Sequence, residues 1–302
     1  MLSSAIVCRA RKRRQARSIC RACRFWCAGQ SSVHRHRSQH FWRRSNMNRP
    51  GIGCGVLAMT AFLGGASSGS AQLTGLENGE WHYLGGDAGH TRYSPLNQIN
   101  ASNFADLEVA WIWRGQNFGQ FPEYTFRSTP SFADGMLYTV AGGRRQVAAI
   151  DPTTGETLWT FREPETMRYL RSPRADFGKG VAYAEVDGRG VIYITTPAFF
   201  LWALDAETGQ PLENWGTPVP LEDFSQTGVV DLIPDLVGDW GRWENFLAEG
   251  GVYDPDHGIS QDLGMVTNSS PPIVVNGVVV VLVGHEPSYD QTRIENVPGD
   301  IM

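Results

Sequence analysis

The sequence has no cysteine after Cys54, although its first 54 residues contain all five. A disulfide framework and a cysteine nucleophile are therefore excluded for the body of the chain. Residues 1–71 also have no Asp or Glu but contain 13 of the 26 Lys and Arg residues, so residues 72–302 have a net charge of −18. We do not expect a body this acidic to bind nucleic acid or an anionic membrane through its net charge.

Long apolar runs are also missing. Residues 51–65 are too short and too rich in glycine for a membrane-spanning helix, but they are typical of the apolar part of a signal peptide. They follow a short basic start at Met47 and precede small residues that end at Ala71. We therefore predict a signal peptide over residues 47–71 and a periplasmic or secreted protein. Arg43-Arg44 leaves twin-arginine export open as the alternative route.

Residues 1–46 are rich in arginine and lack apolar periodicity, which predicts a disordered or non-native extension. Cys20, Cys23 and Cys27 have a spacing that a metal site could use. No second ligand pair follows them, and the neighbouring arginines would repel a cation. We therefore expect no metal site in this segment.

The rest of the sequence is rich in turn-forming and aromatic residues, with 34 Gly, 17 Pro and ten Trp in the whole chain. Residues 149–159, AIDPTTGETLW, place a DxxTG turn between two short apolar runs, with Trp159 packed just after the turn. A second DxxTG turn begins at Asp205, 54 residues after Asp151. Two copies at this spacing indicate a repeated β-unit. Two unrelated turns of a common type are the alternative.

Strand-like runs flank these turns and predict two four-stranded antiparallel meanders. The first meander comprises residues 127–132, 135–141, 146–151 and 156–161. The second comprises residues 180–186, 190–196, 200–205 and 210–215. A long inserted loop is predicted over about residues 213–264, and residues 270–276 and 278–283 begin a third unit.

Four-stranded units at about fifty-residue spacing predict an all-β fold, a β-propeller in which each blade packs face to face on the next. Residues 107–113 are predicted to be an outer strand that closes the ring against a later blade. Two and a half blades cannot close a ring. The sequence therefore predicts either a fragment of a longer propeller or a partial ring with exposed apolar faces.

The topology places irregular, charged loops on the face opposite the DxxTG turns. The cationic residues of this basic face are Arg127, Arg144, Arg145, Arg168, Arg171, Arg174 and Lys179. Such a cluster suits a ligand with several carboxylates, because guanidinium groups pair with carboxylates through two hydrogen bonds. The alternative is that these residues pair with the protein's own Asp and Glu. Glu286, after a buried strand, either ligates a hard cation or is simply solvated.

The ordered set of motifs resembles the pyrroloquinoline quinone (PQQ) dependent dehydrogenases, the quinoprotein glucose, methanol and ethanol dehydrogenases. The motifs are GGDAGHTRYSPLNQIN, LEVAW, STP, the AxDxxTGxxxW repeat, GVAY and SSPPIVVNGVVVV. The resemblance implies an eight-bladed β-propeller, of which residues 72–302 form about two and a half blades. It also implies PQQ in an axial funnel beside a divalent cation, usually Ca²⁺. PQQ is a flat ortho-quinone with three carboxylates, which the basic face would suit.

The resemblance also implies roles for particular residues. Lys179 and Ser269 would contact PQQ, and Glu286 would bind the metal. The charge of the basic face separately predicts that Arg127 or Arg174 helps to neutralise the carboxylates. Pro173-Arg174 stands where the alcohol-oxidising branch has a cysteine pair, and Arg127 where it has a cofactor-contacting Glu. The catalytic Asp, the stacking Trp and the remaining metal ligands are expected beyond Met302. No catalytic residue is therefore assigned, and this chain alone is expected to be inactive.

The predicted function is that of the N-terminal part of a periplasmic PQQ-dependent dehydrogenase. It would oxidise a sugar or alcohol hydroxyl by hydride transfer to the quinone and pass electrons to a cytochrome or ubiquinone. The alternative is a non-catalytic β-propeller that binds protein or envelope partners. The basic face favours the dehydrogenase.

Overall fold

The computed structural model consists mostly of β-strands in small antiparallel sheets. It describes residues 4–10, 76–87, 89–115, 118–119, 125–172, 175, 178–234, 248–258, 265–282 and 284–286. Within these ranges, no helix combines the length and the apolar character that crossing a membrane would need. The helices that are described are the 3-10 turns Glu77–Gly79 and Phe104–Asp106 and the one-turn helix α1 (Met167–Leu170).

Two strands form an antiparallel pair ahead of the complete sheets. They are β1 (Ser4–Ala10) and β2 (Leu107–Arg114), with Ile6 opposite Ile112. The sequence predicts this strand over residues 107–113, one residue shorter than β2. It assigns the strand to the outer edge of a later blade. Among the described strands its partner is β1.

Two four-stranded antiparallel sheets follow, and each strand pairs with the next one along the chain. The first sheet consists of β3 (Ser131–Ala133), β4 (Met136–Ala141), β5 (Gln146–Ile150) and β6 (Thr157–Phe161). The second sheet consists of β7 (Ala182–Val186), β8 (Arg189–Thr195), β9 (Phe200–Asp205) and β10 (Val229–Asp231). All of these strands except β10 overlap the runs that the sequence predicts.

The predicted fourth strand of the second sheet, residues 210–215, is wrong, because β10 takes its place. The start of the predicted run touches one end of β9, where the Leu212 amide donates to the Ala203 carbonyl at 2.8 Å. The chain then leaves the sheet and returns at Gly228, whose carbonyl accepts from the Ala203 amide at 2.8 Å. Val229 is fully buried against β9, whereas the middle of the predicted strand is polar and exposed. The predicted long loop therefore contains a strand of the sheet.

One apolar cluster takes residues from both sheets. Its large, fully buried side chains include Tyr138, Val140, Val147, Ile192, Ile194, Phe200, Trp202 and Leu204. Several of them are two positions apart on one strand, because alternate side chains of a strand share a face. The two sheets therefore stack face to face, as propeller blades do.

A third unit is described in part as two strand pairs. Its strands are β11 (Met265–Thr267), β12 (Ile273–Val275), β13 (Val278–Val280) and β14 (Gly284–Glu286). β12 and β13 form a hairpin, and β11 pairs with β14. The hairpin turns at Asn276 and Gly277, whose φ angles of 51° and 76° are those of a two-residue type I′ turn. The hairpin lies where the sequence predicts the third unit to begin.

The two DxxTG turns have matching hydrogen bonds. In the first, the Gly155 amide donates to the Asp151 carbonyl at 2.8 Å, and in the second the Gly209 amide donates to the Asp205 carbonyl at 2.8 Å. In both turns the Asp side chain accepts from the amide of a threonine two or three residues later. The second glycine has a φ of 72°, and a Cβ added there would lie 2.4 Å from the Trp159 ring.

Trp159 follows the first DxxTG turn along the chain but packs against the second. Its Nε1 donates to the Ala206 carbonyl at 3.0 Å. Trp111 of β2 makes the same contact one unit earlier, because its Nε1 donates to the Pro152 carbonyl at 3.0 Å. Each tryptophan therefore links its own strand to the turn of the following sheet.

A segment ahead of the sheets connects β3, β7 and β12, one strand from each of the three units. Trp81 exchanges two backbone hydrogen bonds with Phe132 of β3, at 2.7 and 2.9 Å. The next carbonyl, that of His82, lies 3.5 Å from the Tyr183 amide of β7. The Tyr83 hydroxyl donates to the Val274 carbonyl of β12 at 3.0 Å.

Candidate functional site

A cavity of about 840 Å³ lies where β3, β7 and β12 begin. Ligand pockets for small molecules typically have volumes of about 300–1,000 Å³. The segment from Tyr83 to Arg92 forms one wall, and residues 270–276 with Leu282 form another that is largely apolar. Arg127 and Lys179 line the cavity just ahead of β3 and β7. The cavity therefore combines an apolar surface with cationic side chains from separate parts of the chain.

The backbone around Lys179 fixes its position between two units. The Thr129 amide donates to the Lys179 carbonyl at 2.9 Å, and the Lys179 amide donates to the Ser269 carbonyl at 2.9 Å. A Cβ at Gly180 would lie 2.8 Å from the Thr129 carbonyl oxygen, so only glycine fits this close approach. Lys179 Nζ lies 3.4 Å from the Ser270 hydroxyl, and no carboxylate of the described residues forms an ion pair with it.

The structure thus brings together three of the predicted site residues in different ways. Arg127 and Lys179 line the same cavity. Ser269 is buried beneath it and supplies the carbonyl that holds the Lys179 backbone, whereas the next residue, Ser270, lines the cavity. Arg174 lies outside the described residues. Contact of these side chains with a cofactor stays a prediction.

Three arginines of the predicted basic face are bound by the protein's own groups, as the alternative interpretation holds. Arg144 pairs with Glu165 at 3.4 Å and lies over the Tyr169 ring. The other two are buried. Arg145 Nη1 donates to the Thr195 carbonyl at 3.2 Å, and Arg168 Nη1 donates to Asp231 at 3.0 Å and to Tyr253 at 2.8 Å. Cationic charge at the cavity therefore comes from fewer residues than the topology alone indicates.

A metal centre is not assembled within the described residues. They contain no group of three or more His, Cys, Asp or Glu side chains that could hold an ion. The backbone of Glu286 pairs with Met265 in the β11–β14 ladder, but its side chain lies outside the described part of the structure. Metal binding by Glu286 stays a prediction.

Sequence reasoning treats residues 81–99 as irregular and assigns no site residue there, yet His90 and Arg92 line the cavity. Asp87 accepts hydrogen bonds from the Thr91 amide at 3.0 Å and the Thr91 hydroxyl at 2.5 Å. These bonds, the hydroxyl first, hold the pKa of Asp87 below its ordinary value, so the carboxylate stays ionised. The Asp-x₃-Thr spacing directly after Gly85-Gly86 is the signal that could have indicated an ordered loop.

These features define a class of protein: a β-propeller with a cationic cavity, which lies here where β3, β7 and β12 begin. Residues 81–302 match the PQQ family described as glucose/ethanol/alcohol dehydrogenase, beta-propeller domain. The chain therefore belongs to the PQQ-dependent dehydrogenase family. The predicted family and the predicted fold, an all-β propeller of the PQQ-dehydrogenase type, are both confirmed.

Several similar proteins carry alcohol dehydrogenase names. The quinohemoprotein alcohol dehydrogenase ADH IIB of Pseudomonas putida is 30% identical over 209 residues, which cover 68% of this chain and 29% of that protein. The 1-butanol dehydrogenase (cytochrome c) of Thauera butanivorans is 31% identical over 212 residues, covering 68% and 27%. The crystal structure of quinohemoprotein alcohol dehydrogenase from Comamonas testosteroni is 26% identical, with a TM-score of 0.44, covering 68% and 23%. The chain spans less than a third of the length of these relatives.

Proposed function

We propose that this chain is the N-terminal part of a PQQ-dependent dehydrogenase that oxidises the hydroxyl group of a small alcohol or sugar. The observation that carries the proposal is the cavity at the starts of β3, β7 and β12, with Arg127 and Lys179 in its lining. The alcohol and glycerol dehydrogenase names of the relatives support the reaction class.

PQQ fits the chemistry of this cavity. Its three carboxylates require cationic partners, and Arg127 and Lys179 both line the cavity. Its flat ring system requires apolar surface, which Pro271, Pro272 and the β12–β13 hairpin supply.

In the proposed mechanism, bound PQQ supplies the two-electron acceptor for oxidation of the hydroxyl carbon. Lys179 and Arg127 bind and orient its carboxylates. Backbone bonds to Thr129 and Ser269 keep Lys179 in place before a ligand binds, which lowers the entropic cost of binding. The apolar wall excludes water from one side of the cavity. We assign no catalytic base among the described residues.

The proposal extends to a metal ion, the route of export and the electron acceptor. Glu286 would contribute one oxygen ligand to a divalent cation such as Ca²⁺, which takes about six to eight oxygens. The signal peptide over residues 47–71 directs the protein to the periplasm, and a cytochrome or ubiquinone accepts the electrons.

Equilibrium dialysis of the protein against PQQ and against PQQ trimethyl ester tests the proposed ligand. The ester keeps the ring system but lacks the three negative charges. We expect saturable binding of PQQ and at least tenfold weaker binding of the ester. Equal binding of the two compounds would show that the cavity cations do not recognise carboxylates, and no binding of PQQ would overturn the proposal.

A further inference from the structure

Residues 85–87 and 89–92, here called the clasp loop, are held together by hydrogen bonds among themselves. The Asp87 carboxylate holds both the amide and the hydroxyl of Thr91. The Arg92 amide donates to the Gly85 carbonyl at 3.0 Å, which closes the loop. The His90 ring packs over Gly85, where an added Cβ would lie 2.3 Å away. These bonds fix the backbone on either side of Thr91.

The clasp loop is anchored to the sheets and faces the cavity. The preceding Trp81 and Tyr83 bind β3 and β12 through the hydrogen bonds described above. His90 and Arg92 have φ angles of 56° and 55°, a left-handed conformation that is uncommon for residues other than glycine. Both residues nevertheless line the cavity. Strain of this kind is concentrated at binding and catalytic sites.

The charges around the cavity are unbalanced. Arg92, Arg127 and Lys179 contribute three fixed positive charges to its lining, and Asp87 contributes one negative charge. Both oxygens of the Asp87 carboxylate bind Thr91. The lining therefore presents more positive than negative charge, although the body of the protein is strongly acidic.

We infer that the clasp loop is part of the ligand site, with Arg92 binding a carboxylate of the polyanionic ligand and the Asp87–Thr91 pair positioning Arg92. This inference rests on the proposed function. It adds a third cation, from a segment outside the blades, to the two that precede β3 and β7.

The test is a PQQ titration of the 302-residue chain, followed by quenching of tryptophan fluorescence. We expect Arg92→Ala to raise the Kd about tenfold or more, as the loss of a charge-assisted hydrogen bond does. Arg162→Ala is the matched control, because it removes an exposed arginine outside the cavity, and its Kd should equal that of the unmodified chain. Circular dichroism verifies that both variants keep their β-structure.

Two further variants test the positioning role without changing the charge. Thr91→Val removes the hydroxyl that binds Asp87, and we expect weaker binding. Thr91→Ser keeps the hydroxyl, and we expect the affinity to be retained. An unchanged Kd in both Arg92→Ala and Thr91→Val would overturn the inference while PQQ binding itself stands. Failure of the unmodified chain to bind PQQ would overturn the proposed function.

Discussion

At the scale of single residues, two tryptophans join consecutive units by the same contact. Trp111 and Trp159 each donate a hydrogen bond to the residue after the Asp of the following DxxTG turn. The glycine of each turn lies directly under the indole ring, so a side chain there would collide with it. This contact explains why glycine ends the turn and why the tryptophan recurs.

We expect Gly209→Ala to destabilise the protein by more than its backbone cost alone. Gly188 is the matched control, because its φ of 77° is similar but no atom lies within 4 Å of an added Cβ. Gly188→Ala should cost about 1–2 kcal/mol, the penalty of a left-handed conformation. Gly209→Ala should cost more, because the Trp159 ring must also move. Urea unfolding measures both, and equal losses would contradict the proposed contact.

A buried carboxyl group gives the stability a pH dependence. Glu163 is buried and accepts a hydrogen bond from Trp202 Nε1 at 3.0 Å. Burial raises its pKa, against the opposing effects of hydrogen bonds from Thr196 and Trp202 and of nearby arginine charge. The folded protein therefore keeps this proton to a higher pH than the unfolded chain does. Its contribution is fully present below the ordinary pKa of about 4.3 and is lost as pH rises through the folded value.

We expect Glu163→Gln to remove this loss of stability. Between about pH 4.5 and 8, the free energy of unfolding of the unmodified protein should fall relative to that of the variant. Urea unfolding at several pH values measures the difference. A constant difference over this range would show that the pKa of Glu163 is not raised in the folded protein.

Single residues also show what the sequence alone could predict about the site. Arg127 and Lys179 could be predicted because each precedes the first strand of a four-stranded sheet. The sheet topology places the starts of these two strands on the same face. Arg168 was misassigned because its partner Asp231 is 63 residues away, so no local pattern reveals the pair. Arg92 was missed because an irregular loop has no periodicity that shows which way its side chains point.

At the scale of elements, strands with a continuous apolar run between turn residues were predictable and β10 was not. β4 and β8 are buried along most of their length and are bounded by turn residues, so the sequence alone indicates strands there. The edge of β9 is paired by two separate parts of the chain. The chain leaves this edge after Leu212 and returns to it at Gly228, just before β10 begins. A strand completed by residues so far apart along the chain has no continuous pattern to detect.

The link between α1 and the second sheet depends on a buried ion pair. Arg168 and Asp231 are both largely buried, so removing the carboxylate leaves an uncompensated guanidinium. We expect Asp231→Asn to cost about 3 kcal/mol. Glu165→Gln breaks the ion pair between Glu165 and Arg144. The Glu165 side chain is 61% exposed, so this change should cost less than about 1 kcal/mol. Thermal unfolding compares the two, and similar losses would contradict the importance of burial.

At the scale of the whole molecule, the charge is divided between an acidic body and a cationic cavity. The body has a net charge of −18, whereas the described cavity lining has more cationic than acidic side chains. An anionic ligand is therefore repelled by most of the surface and attracted at one place. This distribution favours a specific anion site over general affinity for anions.

Export of the protein is a prediction that concerns the whole molecule. The basic start at Met47 and the apolar residues 51–65 predict cleavage after Ala71. N-terminal sequencing of protein recovered from the periplasm should begin at Gln72. Recovery of a chain that keeps the arginine-rich leader would contradict the prediction.

The central claim is that the cavity binds PQQ through Lys179, and the affinity of the Lys179→Ala variant tests it most directly. Lys179 is held by backbone bonds on both sides and lacks a carboxylate partner among the described residues, so its charge is available to a ligand. Loss of a charge-assisted contact typically costs about 1.5–3 kcal/mol. A PQQ titration should therefore give a Kd at least about tenfold higher for Lys179→Ala than for the unmodified protein. An unchanged Kd would contradict the account.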